Sequence, residues 1–129
     1  MIVDERITAY INSLDRGNSP LLTQIEKEAL EDFVPIIRQE TQSLLRVLLG
    51  MVRPKKILEV GTAIGFSALL MSEYAPEDCK ITTIEKYEKR IPIARENFKR
   101  AGKEAQILLL EGDAADILKE LDKKNIFRR

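Results

Sequence analysis

The sequence contains no histidine and only one cysteine, Cys79, among its 129 residues. Without histidine the chain has no Ser-His-Asp triad, no imidazole general base and no histidine ligand for zinc. A single cysteine excludes an internal disulfide and a thiolate cluster. A catalytic thiol needs a base beside it, and no histidine exists to serve, so we expect Cys79 to be a bystander.

Net charge is absent as well, because 21 Lys and Arg balance 21 Asp and Glu. A chain of this kind carries no overall field that selects nucleic acid or a membrane surface. Its first residues lack the basic start and apolar core of a signal peptide. The longest apolar run, LLRVLLGMV, is interrupted by Arg46 and is too short to cross a bilayer. These absences predict a cytoplasmic protein without a membrane partner.

The length fits one domain, and a hydrophobic content of 44% is enough for a buried core. The first fifty residues predict helices. Ser19 is a candidate N-cap with Pro20 at the first helical position, where its missing N–H costs nothing. A second helix carries an apolar stripe at helical spacing, and Pro54 ends it; the stripe consists of Leu44, Leu45, Leu48 and Leu49.

From Lys56 onward, strand-like and helix-like segments alternate. The predicted strands are KILEV, KITTIE and AQILLLEG. Pro92 is expected to start or bend the helix after the second strand, Gly102 to close it, and Asp113 to cap the last helix. This alternation predicts an α/β fold with right-handed βαβ units and a doubly wound parallel sheet that has helices on both faces. We expect an N-terminal helical segment, 1–53, and an α/β part, 54–129.

Three features fall at the carboxyl ends of the predicted strands, where open α/β sheets bind ligands. Gly61 and Gly65 frame a turn whose backbone a ligand can approach closely. Glu85 ends the second strand, and a carboxylate there can accept both hydroxyl hydrogens of a ribose. The third strand ends at Glu111-Gly112-Asp113, where an acceptor meets an adenine amino group.

Each feature also has a purely structural interpretation. A glycine pair suits any tight turn from a strand to a helix, Glu85 suits a solvated strand end, and Asp113 suits a helix cap. Ser67 suits the first turn of a helix. The order and spacing of these residues on consecutive strands favour a nucleoside site.

The turn discriminates between nucleotide-like cofactors. Phe66-Ser67 follows Gly65 where a P-loop needs Gly-Lys-Ser/Thr, which excludes ATP and GTP. Ala63 replaces the middle glycine of the dinucleotide motif, which argues against NAD. S-adenosylmethionine has no pyrophosphate, so a Cβ atom at residue 63 is less of an obstacle.

The segment ILEVGTAIGFSALL, with the residues that follow it to Ala114, resembles the cation-dependent O-methyltransferases of the catechol and caffeoyl-CoA type. It looks most similar to their bacterial branch, which includes the tRNA 5-hydroxyuridine methyltransferases. The resemblance begins near Val34 and implies a Rossmann-like, S-adenosylmethionine-dependent methyltransferase fold. It assigns Gly61, Thr62 and Ser67 to the methionine end of the cofactor, Glu85 to the ribose and Gly112-Asp113-Ala114 to the adenine; Ile37 closes over the cofactor.

Members of that family continue into a fourth strand and further acids that bind a divalent metal. The resemblance therefore implies that this chain is the front half of a longer enzyme, truncated after about three strands. On that interpretation Mg²⁺ is expected only in the full-length protein, and the 129-residue chain is inactive with no catalytic or metal residue of its own. Related enzymes dimerise through N-terminal helices, so we also expect a homodimer.

Alternatives remain at this point. One is an S-adenosylmethionine-binding module without catalysis, and a less favoured one is an NAD-dependent oxidoreductase. The methyl acceptor is a hydroxylated aromatic or a tRNA. Residues 87–103 carry six basic side chains, which suit a solvated helix face or contact with tRNA phosphates; they are Lys89, Arg90, Arg95, Lys99, Arg100 and Lys103.

Overall fold

A computed structural model describes residues 4–124. This part of the chain forms six helices and three strands, in the order α1 (Glu5–Ser13), α2 (Pro20–Glu31), α3 (Gln39–Val52), β1 (Lys56–Val60), α4 (Phe66–Tyr74), β2 (Lys80–Glu85), α5 (Ile91–Arg100), β3 (Ile107–Glu111) and α6 (Ala114–Lys123). The α/β fold class predicted from the alternation is confirmed.

The helices begin and end where local signals predict. Ser19 caps α2 by accepting from the Leu22 amide, with Pro20 in the first turn. Helix α5 starts at Ile91 with Pro92 in its first turn, so the proline begins this helix rather than bending it. Arg53 ends α3 in a left-handed conformation just before Pro54, which disfavours further helix.

The three strands form one parallel sheet in the order β1-β2-β3. Val60 pairs with Ile84, and Glu85 pairs with Glu111. The carboxyl ends of the three strands therefore lie side by side. Within residues 4–124, β1 has a strand neighbour on one side only.

The two faces of the sheet are covered unequally. Alternate residues of a strand point to opposite faces. In β2, Ile81 belongs to the main hydrophobic cluster with residues of α4 and α5. Ile84 points to the other face, where α6 contacts β2, and it is buried as well. On that same face Val60 and Leu108 are exposed. Helices thus lie on both faces, as predicted, but the second face is only partly covered.

The N-terminal helices pack against the α/β part. Leu22 and Ile25 of α2 and Leu49 of α3 are buried in the same cluster as Phe66 and Leu70 of α4. The boundary predicted between 1–53 and 54–129 falls between α3 and β1, and the core crosses it.

The leucine stripe of α3 divides between the core and the surface. Leu49 is buried and Leu45 packs against the core, whereas Leu44 and Leu48 are 57% and 44% exposed. Among the described residues, 4–124, none of the helices combines the length and the apolarity needed to cross a membrane.

Candidate functional site

The turn between β1 and α4 has an unusual backbone that its hydrogen bonds hold in place. Gly61, Ala63 and Gly65 have φ angles of 85°, 49° and 88°, all in the left-handed region. The amides of Gly61 and Thr62 donate to the Ile84 carbonyl at 2.8 and 3.3 Å, and the Gly65 amide donates to the Thr62 carbonyl at 2.8 Å. The turn is therefore tied to the end of the neighbouring strand β2.

The two glycines of this turn face different surroundings. A Cβ atom on Gly61 would meet no atom within 4 Å, so open space lies beside its backbone. A Cβ atom on Gly65 would lie 2.6 Å from Cε1 of the Phe98 ring in α5. Gly65 therefore allows close packing of α4 against α5, and only Gly61 lines open space.

A first cavity of about 200 Å³ lies between the turn and the segment Pro35–Ile37, here called the strap. The strap precedes α3, and Ile37 is one of the residues that line the cavity. Thr62 lines it from the opposite side. Thr62 is 2% exposed, and its hydroxyl oxygen is buried without a hydrogen-bond partner. Buried polar atoms are nearly always paired, so this hydroxyl has unused hydrogen-bonding capacity at the wall of the cavity.

Ser67 also lines the first cavity, and its hydroxyl donates a short hydrogen bond to the Glu59 carboxylate. The other oxygen of Glu59 accepts from the Thr83 hydroxyl at 2.6 Å. Glu59 thus joins β1, β2 and the first turn of α4 beneath the cavity. Glu59 is part of the segment that carries the family resemblance, but the sequence predicted no role for it. A signal for its role was available, because Glu59 stands two residues before Gly61 on the strand face that α4 covers.

A second cavity, also of about 200 Å³, lies on the other side of Gly61. Glu85 lines it from the end of β2. One carboxylate oxygen of Glu85 accepts from the Ala63 amide at 2.8 Å, and the other accepts from the Lys86 and Tyr87 amides at 3.0 Å each. A carboxylate has about four acceptor sites, so Glu85 keeps capacity for a ligand hydroxyl.

The end of β3 closes the second cavity. Gly112 and Ala114 line it together with Asp113, which caps α6 by accepting from the Ala115 amide at 2.9 Å. The second oxygen of Asp113 lies 3.7 Å from the Lys86 ammonium group, and both side chains are exposed. Asp113 therefore caps α6, as the purely structural interpretation expects. It also lies at the second cavity, where the interpretation as a nucleoside site places it.

The two cavities meet at Gly61, which lines both. Together they fall within the range of roughly 300–1,000 Å³ that small-molecule sites occupy. Of the nine cofactor residues that the sequence analysis names, eight line one of the two cavities and Gly65 lines neither. They are Ile37, Gly61, Thr62, Ser67, Glu85, Gly112, Asp113 and Ala114.

Metal ligands and reactive thiols are not part of this arrangement. Residues 4–124 contain no group of three Asp, Glu or Cys side chains placed to hold a metal ion. The donor set around the two cavities therefore does not fit a divalent metal. Cys79 is fully buried, and burial raises the pKa of its thiol.

Residues 12–128 match the O-methyltransferase family, and the chain belongs to that family. It is 28% identical over 118 residues to a catechol O-methyltransferase from Niastella koreensis, covering 92% of this chain and 48% of that enzyme. The fold is similar to a crystal structure of a putative caffeoyl-CoA O-methyltransferase from Staphylococcus aureus, with 30% identity and a TM-score of 0.81, covering 92% of this chain and 56% of that one. The resemblance drawn from the sequence is confirmed at the level of the catechol and caffeoyl-CoA enzymes.

A methyltransferase from Podospora anserina, solved with bound SAH, has the same fold with a TM-score of 0.84 and 29% identity, over 91% of this chain and 52% of that one. The chain thus spans about half the length of the relatives it matches. Membership of this family favours a Rossmann-like methyltransferase over the oxidoreductase alternative.

Proposed function

We propose that the two cavities are one binding site for S-adenosylmethionine, which lies across Gly61. The ribose lies at Glu85, the adenine at Gly112-Asp113-Ala114, and the methionine end under the strap. The observation that carries this proposal is the buried, unpaired hydroxyl of Thr62 in a cavity that continues past Gly61 to a strand-end carboxylate. The SAH complex of the Podospora anserina enzyme, which shares the fold, supports it.

The methionine end fits the chemistry of the first cavity. Its α-amino and α-carboxylate groups need hydrogen-bonding partners, and Thr62 offers a hydroxyl that has none. Ser67 lies in the same cavity, and its bond to Glu59 fixes the direction of its hydroxyl. Ile37 and the rest of the strap supply an apolar cover that excludes water from this end of the cofactor.

The nucleoside end fits the second cavity. Glu85 is held in place by three backbone amides, so its carboxylate is oriented before a ribose arrives. Hydrogen bonds to a charged acceptor of this kind are about twice as strong as neutral ones. The open space at Gly61 lets the cofactor pass close to the backbone between the two cavities.

In the whole protein we propose that this site presents a methyl donor to a hydroxyl group of a small aromatic acceptor. S-adenosylmethionine supplies a methyl group on a positively charged sulfur. The residues of this chain bind and orient that donor, so that the acceptor oxygen can approach in line with the sulfur–methyl bond. The catechol O-methyltransferase relative supports an aromatic hydroxyl as the acceptor.

A tRNA acceptor, the finer expectation of the sequence analysis, receives little support from the basic segment 87–103. Arg95 pairs with Glu111 at 3.0 Å, and Arg100 pairs with Glu28 at 2.9 Å. Arg90 lies over the Tyr87 ring, 5.1 Å from its centroid. Because three of the six basic side chains have partners within the fold, a solvated helix face is the better interpretation of the segment.

A non-catalytic module is the second candidate function, and the lack of a metal-binding cluster among residues 4–124 favours it. Both candidates require cofactor binding. Calorimetric titration of the chain with S-adenosylmethionine, and separately with NAD, measures this binding. We expect saturable binding of S-adenosylmethionine and none of NAD. Binding of NAD alone, or of neither compound, would contradict the proposal.

A further inference from the structure

Gln42 is a buried polar side chain in the first turn of α3, outside both cavities. It is 1% exposed, although glutamine is mostly found at the surface. Its side-chain oxygen accepts from the Asn18 amide group at 2.9 Å. Its side-chain nitrogen donates to Glu26 at 3.1 Å and to the Ile37 carbonyl at 2.9 Å.

These three bonds connect elements that are distant in sequence. Asn18 lies between α1 and α2, Glu26 lies on α2, and Ile37 is the last residue of the strap. Both N–H groups of the Gln42 amide are in use, so the side chain has one orientation that satisfies all its partners. If the Gln42 side chain loses its N–H groups, the Ile37 carbonyl loses the hydrogen bond that it accepts from Gln42.

The strap itself has little regular structure to hold it. It lies between α2 and α3, and Pro35 has no backbone N–H to donate. The chain enters it through Phe33, which has a left-handed φ of 54°. Gln42 on α3 therefore holds the strap at its last residue, Ile37, which is the end opposite to Phe33.

We infer that Gln42 is a positioning residue that holds the strap over the first cavity, so that Ile37 covers the methionine end of the cofactor. Gln42 does not line the cavity, and it acts through the backbone of Ile37. This inference rests on the proposed function for its effect on cofactor affinity. Its effect on the strap of the free protein is independent of that function.

The test compares Gln42→Met with Ser43→Ala in the whole chain. Methionine conserves the volume of glutamine and removes all three hydrogen bonds. Ser43 is the next residue of α3, and its hydroxyl bonds Asp15 and the Gln39 carbonyl but nothing in the strap. Gln42→Leu, which is also apolar and brings no buried charge next to Glu26, is the second variant if Gln42→Met does not fold.

Two measurements follow for each folded variant. NMR relaxation of the free protein should show larger backbone motion at Ile36 and Ile37 in the Gln42 variant and unchanged motion there in Ser43→Ala, because Gln42 holds the Ile37 carbonyl. The dissociation constant for S-adenosylmethionine should rise about tenfold in the Gln42 variant, as loss of a buried hydrogen bond implies. Unchanged backbone motion at the strap would overturn the inference, whether or not the cofactor binds.

A double-mutant cycle with Ile37→Ala separates positioning from a general loss of stability. If Gln42 acts through Ile37, the second substitution should add little to the loss of affinity caused by the first. Fully additive losses, or wild-type affinity in the Gln42 variant, would overturn the inference. Failure of the unsubstituted chain to bind S-adenosylmethionine would instead contradict the proposed function.

Discussion

Glu85 is the residue on which the nucleoside half of the site depends. Replacing it with alanine removes the acceptor proposed for a ribose hydroxyl, so Glu85→Ala should weaken S-adenosylmethionine binding by about 1.5–3 kcal/mol. Calorimetry measures this change. Because Glu85 also accepts from the Ala63 amide, thermal unfolding has to be recorded beside it. Exposed Glu88, replaced by alanine, is the control, and equal affinities for the two variants would remove Glu85 from the site.

Gly61 is the residue at which a side chain would occupy the space proposed for the cofactor. Its φ of 85° strains any other residue, and no protein atom lies within 4 Å of the position of a Cβ atom. Gly61→Val should therefore abolish cofactor binding, whereas Ala63→Gly should be tolerated because Ala63 already has a left-handed φ of 49°. If Gly61→Val binds S-adenosylmethionine normally in a calorimetric titration, the role of the turn is purely structural.

Residues whose roles are local could be predicted from the sequence, and residues whose roles depend on distant partners could not. The capping roles of Ser19 and Asp113 lie within one turn of a helix, so the neighbouring residues in the sequence determine them, whereas the sequence left open whether Pro92 starts or bends its helix. The packing role of Gly65 depends on Phe98, and the burial of Gln42 depends on three separate segments. No periodicity or spacing encodes those contacts.

At the scale of elements, α3 also combines a feature that the sequence predicts with one that depends on distant contacts. Helical spacing predicts the apolar stripe, but it does not tell which leucines face the core. In the structure α3 contacts both α1 and α4, and the part of the stripe at Leu44 and Leu48 stays exposed. Parallel pairing followed from the alternation of strands and helices, whereas the strand order β1-β2-β3 is known only from the structure.

A buried ion pair between Arg46 and Asp15 connects α3 to the segment between α1 and α2. Arg46 lies 3.0 Å from Asp15, with side chains 15% and 1% exposed. Burial alone raises the pKa of Asp15, but hydrogen bonds from Ser43, Gly17 and Arg46 outweigh it and hold the pKa below its ordinary value of 3.8. The stabilising effect of the Asp15 carboxylate is therefore fully present above about pH 4 and is lost as the pH falls through the lowered pKa.

Asp15→Ala should lower the free energy of unfolding near neutral pH by about 3 kcal/mol, because it leaves the mostly buried guanidinium of Arg46 without its carboxylate partner. It should also flatten the loss of stability below pH 4. Urea unfolding at several pH values measures both effects. The exposed pair of Glu120 and Lys123 is the control, and Glu120→Ala should change stability by less than about 1 kcal/mol. Equal pH profiles for Asp15→Ala and the unsubstituted chain would contradict this account of the pair.

At the scale of the whole molecule, exposed apolar surface predicts association into a dimer or larger assembly. Leu44, Leu48 and Met51 of α3 are 57%, 44% and 76% exposed, and within residues 4–124 β1 has a strand neighbour on one side only. Sedimentation velocity at about tens of micromolar should show more than a monomer. Leu44→Lys combined with Leu48→Lys should shift the chain toward monomer, and a monomeric unsubstituted chain would contradict the prediction.

The 129-residue chain should bind its cofactor without methylating an acceptor. Transfer to a hydroxyl needs the acceptor oxygen held in line and its proton removed, and residues 4–124 provide no carboxylate cluster for a metal that does both. Incubation with S-adenosylmethionine, Mg²⁺ and a catechol, followed by mass spectrometry, should give no methylated product. Metal-stimulated turnover by the purified chain would show that the catalytic groups lie within it.

The most direct measurement of the central claim is a crystal structure of the chain with bound S-adenosylhomocysteine. The account predicts one molecule lying across Gly61, with its ribose hydroxyls within hydrogen-bond distance of Glu85. Its methionine end should satisfy the Thr62 hydroxyl beneath the strap, and its adenine should lie at Gly112-Asp113-Ala114. A ligand bound elsewhere, or a complex in which Thr62 and Glu85 do not contact it, would contradict the account.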